Sequence, residues 1–271
     1  MRKILCPTDF SSQAINATLY AAKFAQATNS ELIIFHVESI FKLTPMELLR
    51  GKGMTVAALN DQLEVQSQEI TTSFKISCYA DVELSGHSLP SVIDEKADAF
   101  DLILMGTHGM SDYFDFFMGS DTYKVIKQTS TPVLLIPVTC EYSPISKIIF
   151  ATDILKGEYF PLRKLVDWAK LLESKVRILQ VVPGHYKHET EVDLKRTQTE
   201  ISDFYENEIA LEFDTIWSQE IGNSIHSYVL RTESDALALC TRSYGIIEGL
   251  FHKSVTKLIS SIAEYPVFVF H

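Results

Sequence analysis

Short apolar runs alternate along the chain with longer stretches whose apolar residues recur every three or four positions. In the first half, a short strand-like run that ends at a polar turn occupies 3–9, and apolar runs occupy 31–37, 102–105 and 133–136. Residues 75–83 alternate between apolar and polar types. Short apolar runs are typical of buried strands, and the longer period is typical of amphipathic helices. Strands alternating with helices indicate parallel β-α-β units. The pattern therefore predicts an α/β fold with five parallel strands in this half.

The same pattern returns in the second half of the 271-residue chain. Lys147-Ile-Ile-Phe-Ala-Thr-Asp153 repeats Lys3-Ile-Leu-Cys-Pro-Thr-Asp9, and a Pro-Val strand near residue 266 repeats the one near residue 132. An internal repeat of this length indicates two similar domains. We predict two tandem open-sheet domains at 1–138 and 147–271, joined by a linker at 139–146. Each is expected to be a five-stranded parallel sheet sandwiched by helices.

Three glycines and a serine follow the strand at 102–105 and precede a predicted helix. They are Gly106, Gly109, Gly119 and Ser120. A strand that ends in glycines and leads into a helix can hold phosphate, because backbone N–H groups and the helix dipole both favour negative charge there. Glycine also allows a ligand to approach the backbone closely. This stretch is the predicted phosphate-binding loop.

With these features the chain resembles the universal stress protein family, and in particular its tandem, two-domain members. The glycines and serine match the family's nucleotide signature, Gly-x2-Gly-x9-Gly-Ser/Thr, in the expected strand and helix context. The resemblance implies an adenine nucleotide alpha hydrolase-like fold and an adenine-nucleotide-binding protein of the stress response. It implies ATP, ADP or AMP as the ligand of the first half.

The resemblance also implies a role for each matching residue. Asp9 would hydrogen-bond the nucleotide, Val37 would line the adenine pocket, and Met105 and Gly106 would lie near the base and ribose. Gly109, Gly119 and Ser120 would surround the phosphates, and His108 stands where family members often carry Arg. The sequence indicates no catalytic residue and no set of metal ligands made of protein side chains alone.

The loop between the glycines is acidic. Asp112, Asp115 and Asp121 lie in or beside it, and no Lys or Arg occurs between Lys96 and Lys124. Carboxylates repel a triphosphate unless a divalent cation intervenes. Three alternatives remain open: Asp121 complements the helix dipole, Mg²⁺ bridges Asp and phosphate oxygens, or the site takes AMP or ADP or is empty.

The second half lacks the signature. Cys240, Ser243 and Lys253 stand where the three glycines stand in the first half, although Asp153 is kept in the place of Asp9. Side chains at all three positions are expected to obstruct phosphate. We therefore predict a nucleotide in the N-terminal half only.

Charge and composition exclude several classes of function. A net charge of −11 without a basic run argues against nucleic-acid binding and against docking on an anionic membrane. No stretch approaches the roughly 20 apolar residues of a spanning helix, and the N-terminal apolar run is too short for a signal peptide. Four scattered cysteines without a CxxC pair are typical of free thiols in a reducing compartment. A cytoplasmic protein is expected.

The leading hypothesis is a binding protein that acts through its ligand state and through protein partners that the sequence does not identify. The alternatives are a slow ATPase or nucleotide hydrolase, which would need charge stabilisation that the sequence does not clearly offer, and a scaffold whose two sites have both decayed. The resemblance implies pairing through the last strands, 133–136 and 267–270, as an intramolecular pseudo-dimer or in a homo-oligomer.

A lysine in place of the third glycine tests the predicted difference between the halves. Gly119→Lys copies Lys253, and we expect it to abolish adenine-nucleotide binding because its side chain enters the phosphate path. Calorimetric titration with ATP and AMP measures this. Unchanged affinity in the variant, or two equivalent sites per unmodified chain, would contradict the prediction.

Overall fold

The structure is a computed structural model that describes residues 1–42, 54–107, 120–156, 160–184, 188–240 and 265–270. Within these residues the chain separates into two compact units, one extending to Tyr142 and the other beginning at Ser143. No helix of the described ranges is long and apolar enough to cross a bilayer.

The first unit is an open parallel sheet flanked by helices. Its strands lie in the order β3-β2-β1-β4-β5, and all of the paired strands are parallel. The predicted fold class is therefore confirmed. In chain order the elements are β1 (Lys3–Pro7), α1 (Ser12–Thr28), β2 (Glu31–Ser39), α2 (Met54–Phe74), β3 (Cys78–Ser85), α3 (Leu89–Lys96), β4 (Leu102–Thr107), α4 (Ser120–Gln128) and β5 (Val133–Pro137).

The second unit has the same strand order about its first strand, β10-β9-β6-β7-β8, again with parallel pairs. In chain order the described elements are β6 (Lys147–Ala151), α5 (Phe160–Leu172), β7 (Lys175–Val182), α6 (His188–Tyr205), β8 (Leu211–Trp217), α7 (Ile221–Arg231), β9 (Ala236–Cys240) and β10 (Val267–Phe270).

Helix α1 packs on the sheet through small side chains. Ile15 and Leu19, although apolar, are 46% and 49% exposed. The buried face consists mainly of alanines, with Phe24 and Tyr20 among the larger residues; its alanines are Ala14, Ala17, Ala21, Ala22 and Ala25. Because alanine projects only a methyl group, this helix can lie close to the strands beneath it.

The four cysteines are free thiols. Cys6, Cys78 and Cys240 are buried, whereas Cys140 is only half-buried. Burial raises the pKa of the Cys6 thiol to about 12. Since the thiolate is the reactive form, Cys6 has the properties of a packing residue and not those of a redox group.

An aspartate at the start of the fourth strand anchors the first strand in both units. The Asp101 carboxylate accepts a hydrogen bond from the Lys3 N–H at 2.9 Å. In the second unit the Asp235 carboxylate accepts from the N–H groups of Ser146 and Lys147 at 2.7 and 2.8 Å. These bonds satisfy backbone N–H donors at the end of the sheet where the strands begin.

Removing this anchor in the second unit should destabilise the protein. We expect Asp235→Ala to lower the free energy of unfolding by about 1–2 kcal/mol, because two backbone donors lose their acceptor. Urea denaturation measures the change, with Asp203→Ala, which removes an exposed carboxylate from α6, as the control. Equal stabilities of the two variants would contradict this role.

Candidate functional site

A cavity of about 220 Å³ opens at the carboxyl ends of β1 and β4 in the first unit. The strand order reverses between these two neighbours, because the chain proceeds from β1 to β2 and β3 on one side and returns to β4 on the other. Open α/β sheets bind ligands at such a switch point. The lining residues are Pro7, Thr8, Asp9, Ser11, Gln13, Ala14, Leu89, Met105, Gly106, Asp121 and Thr122.

The turn between β1 and α1 forms one wall of this cavity. Asp9 Oδ1 accepts from the Ser11 N–H at 3.0 Å, and Thr8 Oγ1 accepts from the Phe10 N–H at 3.1 Å. Ser11 caps α1 by accepting from the Ala14 N–H at 3.3 Å. Phe10 adopts a left-handed conformation, with φ of 63°. Local side-chain bonds therefore hold an unusual turn that presents the Asp9 carboxyl group at the cavity.

His36 supports this turn from the neighbouring strand. Its Nδ1 lies 2.7 Å from the Thr8 carbonyl oxygen, and since that oxygen can only accept, Nδ1–H donates. Nε2 lies 3.3 Å from Glu38, and the ring centroid lies 5.0 Å from that of Phe10. Sequence reasoning missed His36, although a polar residue within the apolar run of β2 was the available signal.

Two of the predicted residues on β4 line the cavity. Met105 is buried, at 6% exposure, and Gly106 follows it. A Cβ at Gly106 would lie 2.5 Å from the Gln13 carbonyl oxygen and 3.3 Å from the Ala17 Cβ. The close packing of α1 against β4 thus requires glycine here, a reason that sequence reasoning had not identified.

The other predicted residues are placed less directly. Val37 is half-buried in β2 and is not among the described residues that line the cavity. His108, Gly109 and Gly119 lie outside the described residues, as do Asp112 and Asp115. Ser120 begins α4, and its side chain is also outside the description. The roles assigned to these residues stay predictions.

Two carboxyl groups lie among the lining residues, those of Asp9 and Asp121. Asp121 Oδ1 lies 3.9 Å from Lys124 Nζ, and both side chains are about half exposed, at 51% and 54%. A surface pair of this length contributes little stability. In the described part of the chain, no group of three or more His, Cys, Asp and Glu side chains could hold a metal ion.

Comparison with known proteins agrees with this architecture. The model of the universal stress protein family matches residues 1–137, which is half of the chain. The chain belongs to the universal stress protein family. A universal stress protein of Methanocaldococcus jannaschii is 28% identical over 154 residues, spanning 50% of this chain and 94% of the relative. One of Thermus aquaticus is 29% identical over 142 residues, spanning 50% and 98%.

A solved universal stress protein from Archaeoglobus fulgidus DSM 4304 shares the fold. It superposes with a TM-score of 0.76 at 16% identity, covering 99% of this chain and 97% of that chain. At this identity the likeness concerns the fold alone, and it supports the α/β architecture described above.

In the second unit of this universal stress protein, the corresponding turn is held by different hydrogen bonds. Gln180 occupies in β7 the place that His36 has in β2, and its Nε2 donates to Asp153 Oδ1 at 3.4 Å. Gln180 Oε1 accepts from the N–H of Ile154, a residue only 4% exposed. Asp153 is thus bonded by a side chain of its own unit, and a buried apolar residue follows it.

The strand register also identifies the counterpart of Gly106. In β4, Ile103 pairs with Leu5 of β1, and in β9, Leu237 pairs with Ile149 of β6. Three residues further along, Gly106 corresponds to Cys240, which is buried. The second unit therefore has a side chain where the first unit leaves room for a helix backbone.

The contact at Gly106 leads to a stability prediction. We expect Gly106→Ala to lower the free energy of unfolding by roughly 1–3 kcal/mol, because its Cβ must displace the backbone at Gln13. Gly86→Ala is the matched control, since among the described residues its Cβ would meet the Ile40 side chain, whose Cδ1 methyl group lies at 3.1 Å and can move. Thermal or urea unfolding compares them, and equal losses would contradict this explanation.

Proposed function

We propose that the first unit binds an adenine nucleotide in the cavity between the ends of β1 and β4. The observation that carries the proposal is the position of this cavity at the switch point of the sheet, with Asp9, Met105 and Gly106 in its walls. These three residues come from separate parts of the sequence, and each was expected at the nucleotide from the family resemblance alone.

The walls offer different chemistry to the parts of a nucleotide. Asp9 provides a carboxylate acceptor for N–H or O–H groups of the base or ribose. Met105 provides an apolar, polarisable surface for the base. Asp121 and Thr122 belong to the first turn of α4, whose N-terminus favours negative charge. His108, Gly109, Gly119 and Ser120 would complete the phosphate end, as the family signature implies, and Val37 would lie towards the base.

We propose further that the second unit takes no nucleotide in this manner. Asp153 and the backbone after it are bonded to Gln180, and Cys240 replaces the first glycine. A ligand at Asp153 would have to compete with these bonds to Gln180, and a ligand near the end of β9 would meet the buried Cys240 side chain, both of which cost free energy. The two units would then be tandem domains, 1–138 and 147–271 with a linker at 139–146, of which only the first is a receptor.

The proposed role is that of a stress-response binding protein in the cytoplasm, which acts through its ligand state. Among the described lining residues, none forms a recognisable nucleophile–base pair, and the activity proposed is binding and not turnover. Any Mg²⁺ would arrive bound to the phosphate groups and would also be coordinated by the carboxylate of Asp9 or Asp121. The resemblance supports assembly as a pseudo-dimer or homo-oligomer, with further protein partners.

Matched substitutions in the two units test the proposal. We expect Asp9→Ala to weaken AMP and ATP binding at least tenfold, because a hydrogen bond to a charged group contributes about 1.5–3 kcal/mol. Asp153→Ala removes the corresponding carboxylate of the second unit and should leave affinity unchanged. Isothermal titration calorimetry should give one site per chain.

Three results would count against this function. They are the absence of adenine-nucleotide binding to the unmodified protein, equal effects of the two substitutions, and a stoichiometry of two. Incubation with ATP, followed by chromatographic measurement of ADP, distinguishes a binding protein from a slow hydrolase in the same samples.

A further inference from the structure

The start of α4 brings an acidic side chain to the proposed nucleotide cavity. Asp121 is the second residue of this helix and lines the cavity together with the buried Thr122. Its side chain is about half exposed. It is therefore accessible both to solvent and to a ligand that enters the cavity.

The charge of the cavity walls is unfavourable for a highly charged ligand. Among the described lining residues, Asp9 and Asp121 carry carboxyl groups, and none is Lys or Arg. Lys124, the ion-pair partner of Asp121, is not one of these lining residues, and its Nζ lies 3.9 Å from the Asp121 carboxylate. At this length and exposure, Lys124 neutralises the carboxylate only weakly.

The position of Asp121 at the N-terminus of α4 strengthens the repulsion of phosphate groups. The N-terminus of a helix attracts negative charge, and an aspartate in the first turn already occupies this favourable potential. A phosphate group placed at the same end would meet the carboxylate at short range, where like charges repel. The repulsion increases with each phosphate added to the ligand, whereas it does not act on an uncharged nucleoside.

We propose that Asp121 is a specificity-determining residue that selects ligands of low negative charge. The cavity then takes adenosine and nucleoside monophosphates in preference to free ATP, and ATP competes only when a divalent cation neutralises its phosphates. This inference rests on the proposed nucleotide site of the first unit and adds the ligand class that this site prefers.

Charge-dependent titrations test the selection. Affinities of adenosine, AMP, ADP and ATP are measured by calorimetry in EDTA for the unmodified protein and for Asp121→Asn. Asparagine keeps the size and a side-chain oxygen of aspartate but removes the charge. We expect Asp121→Asn to raise the affinity for free ATP about tenfold and to change that for adenosine less than twofold. A purely structural role of Asp121 in α4 would change all four affinities alike.

Two controls isolate the charge at this position. Asp94→Asn removes one exposed carboxylate from α3, outside the cavity, and should leave every ratio of affinities unchanged. Asp121→Asn could raise ATP affinity in two ways: by removing a charge that repels phosphate, or by releasing Lys124 to attract it. Lys124→Gln, alone and combined with Asp121→Asn, distinguishes these two effects. Asp121→Asn should raise the affinity for free ATP by a similar factor when it is added to the unmodified protein and when it is added to the Lys124→Gln variant.

The outcomes distinguish this inference from the function on which it rests. Tighter binding of free ATP than of AMP by the unmodified protein would overturn the inference and leave nucleotide binding intact. The inference would also be overturned if Asp121→Asn did not alter the ratio of ATP affinity to adenosine affinity, or if Asp94→Asn altered that ratio equally. Failure of all four ligands to bind the unmodified protein would overturn both. Added Mg²⁺ should tighten ATP binding to the unmodified protein more than it tightens adenosine binding.

Discussion

The close approach of helix α1 to strand β4 is the constraint on which the candidate site depends. A Cβ at Gly106 would lie 2.5 Å from a backbone oxygen of α1, so the helix can take this position only over a glycine. The alanine face of α1 permits the same proximity along the rest of the contact. Because α1 begins immediately after β1, this packing places the Asp9 turn beside the end of β4, and the cavity forms between them.

The two units show how one scaffold can support different turns. In the first unit His36 donates to the Thr8 carbonyl group and contacts Phe10, and Asp9 lines the cavity. In the second unit Gln180 bonds to Asp153 itself. An amide side chain carries both a donor and an acceptor, so it can bond the aspartate and the backbone together. The residue type at this position of the second strand, His36 or Gln180, thus decides whether the side chain bonds to the turn backbone alone or also to the aspartate.

Asp121 illustrates a conflict between helix stability and ligand binding. A carboxylate in the first turn of α4 complements the helix dipole, and the same dipole is what attracts phosphate. The carboxylate and a phosphate group would compete for the same few N–H groups, so the helix end cannot bind both fully. In the proposed site, the Asp121 carboxylate would therefore lower the attraction of this helix end for highly charged ligands.

Much of the architecture follows from the sequence alone. The apolar runs and the repeat identified the parallel α/β class and, to within a few residues, the five strands of the first unit, because buried parallel strands need continuous apolar residues. Asp9 and Gly106, both expected at the ligand, line the described cavity, whereas Gly109 and Gly119 lie outside the described residues. Only the tertiary structure showed that Gly106 accommodates a helix, that His36 supports the turn, and that Asp121 reaches the same cavity as Asp9. These facts depend on contacts between segments distant in the chain, and residue spacing carries no information about how closely such segments approach.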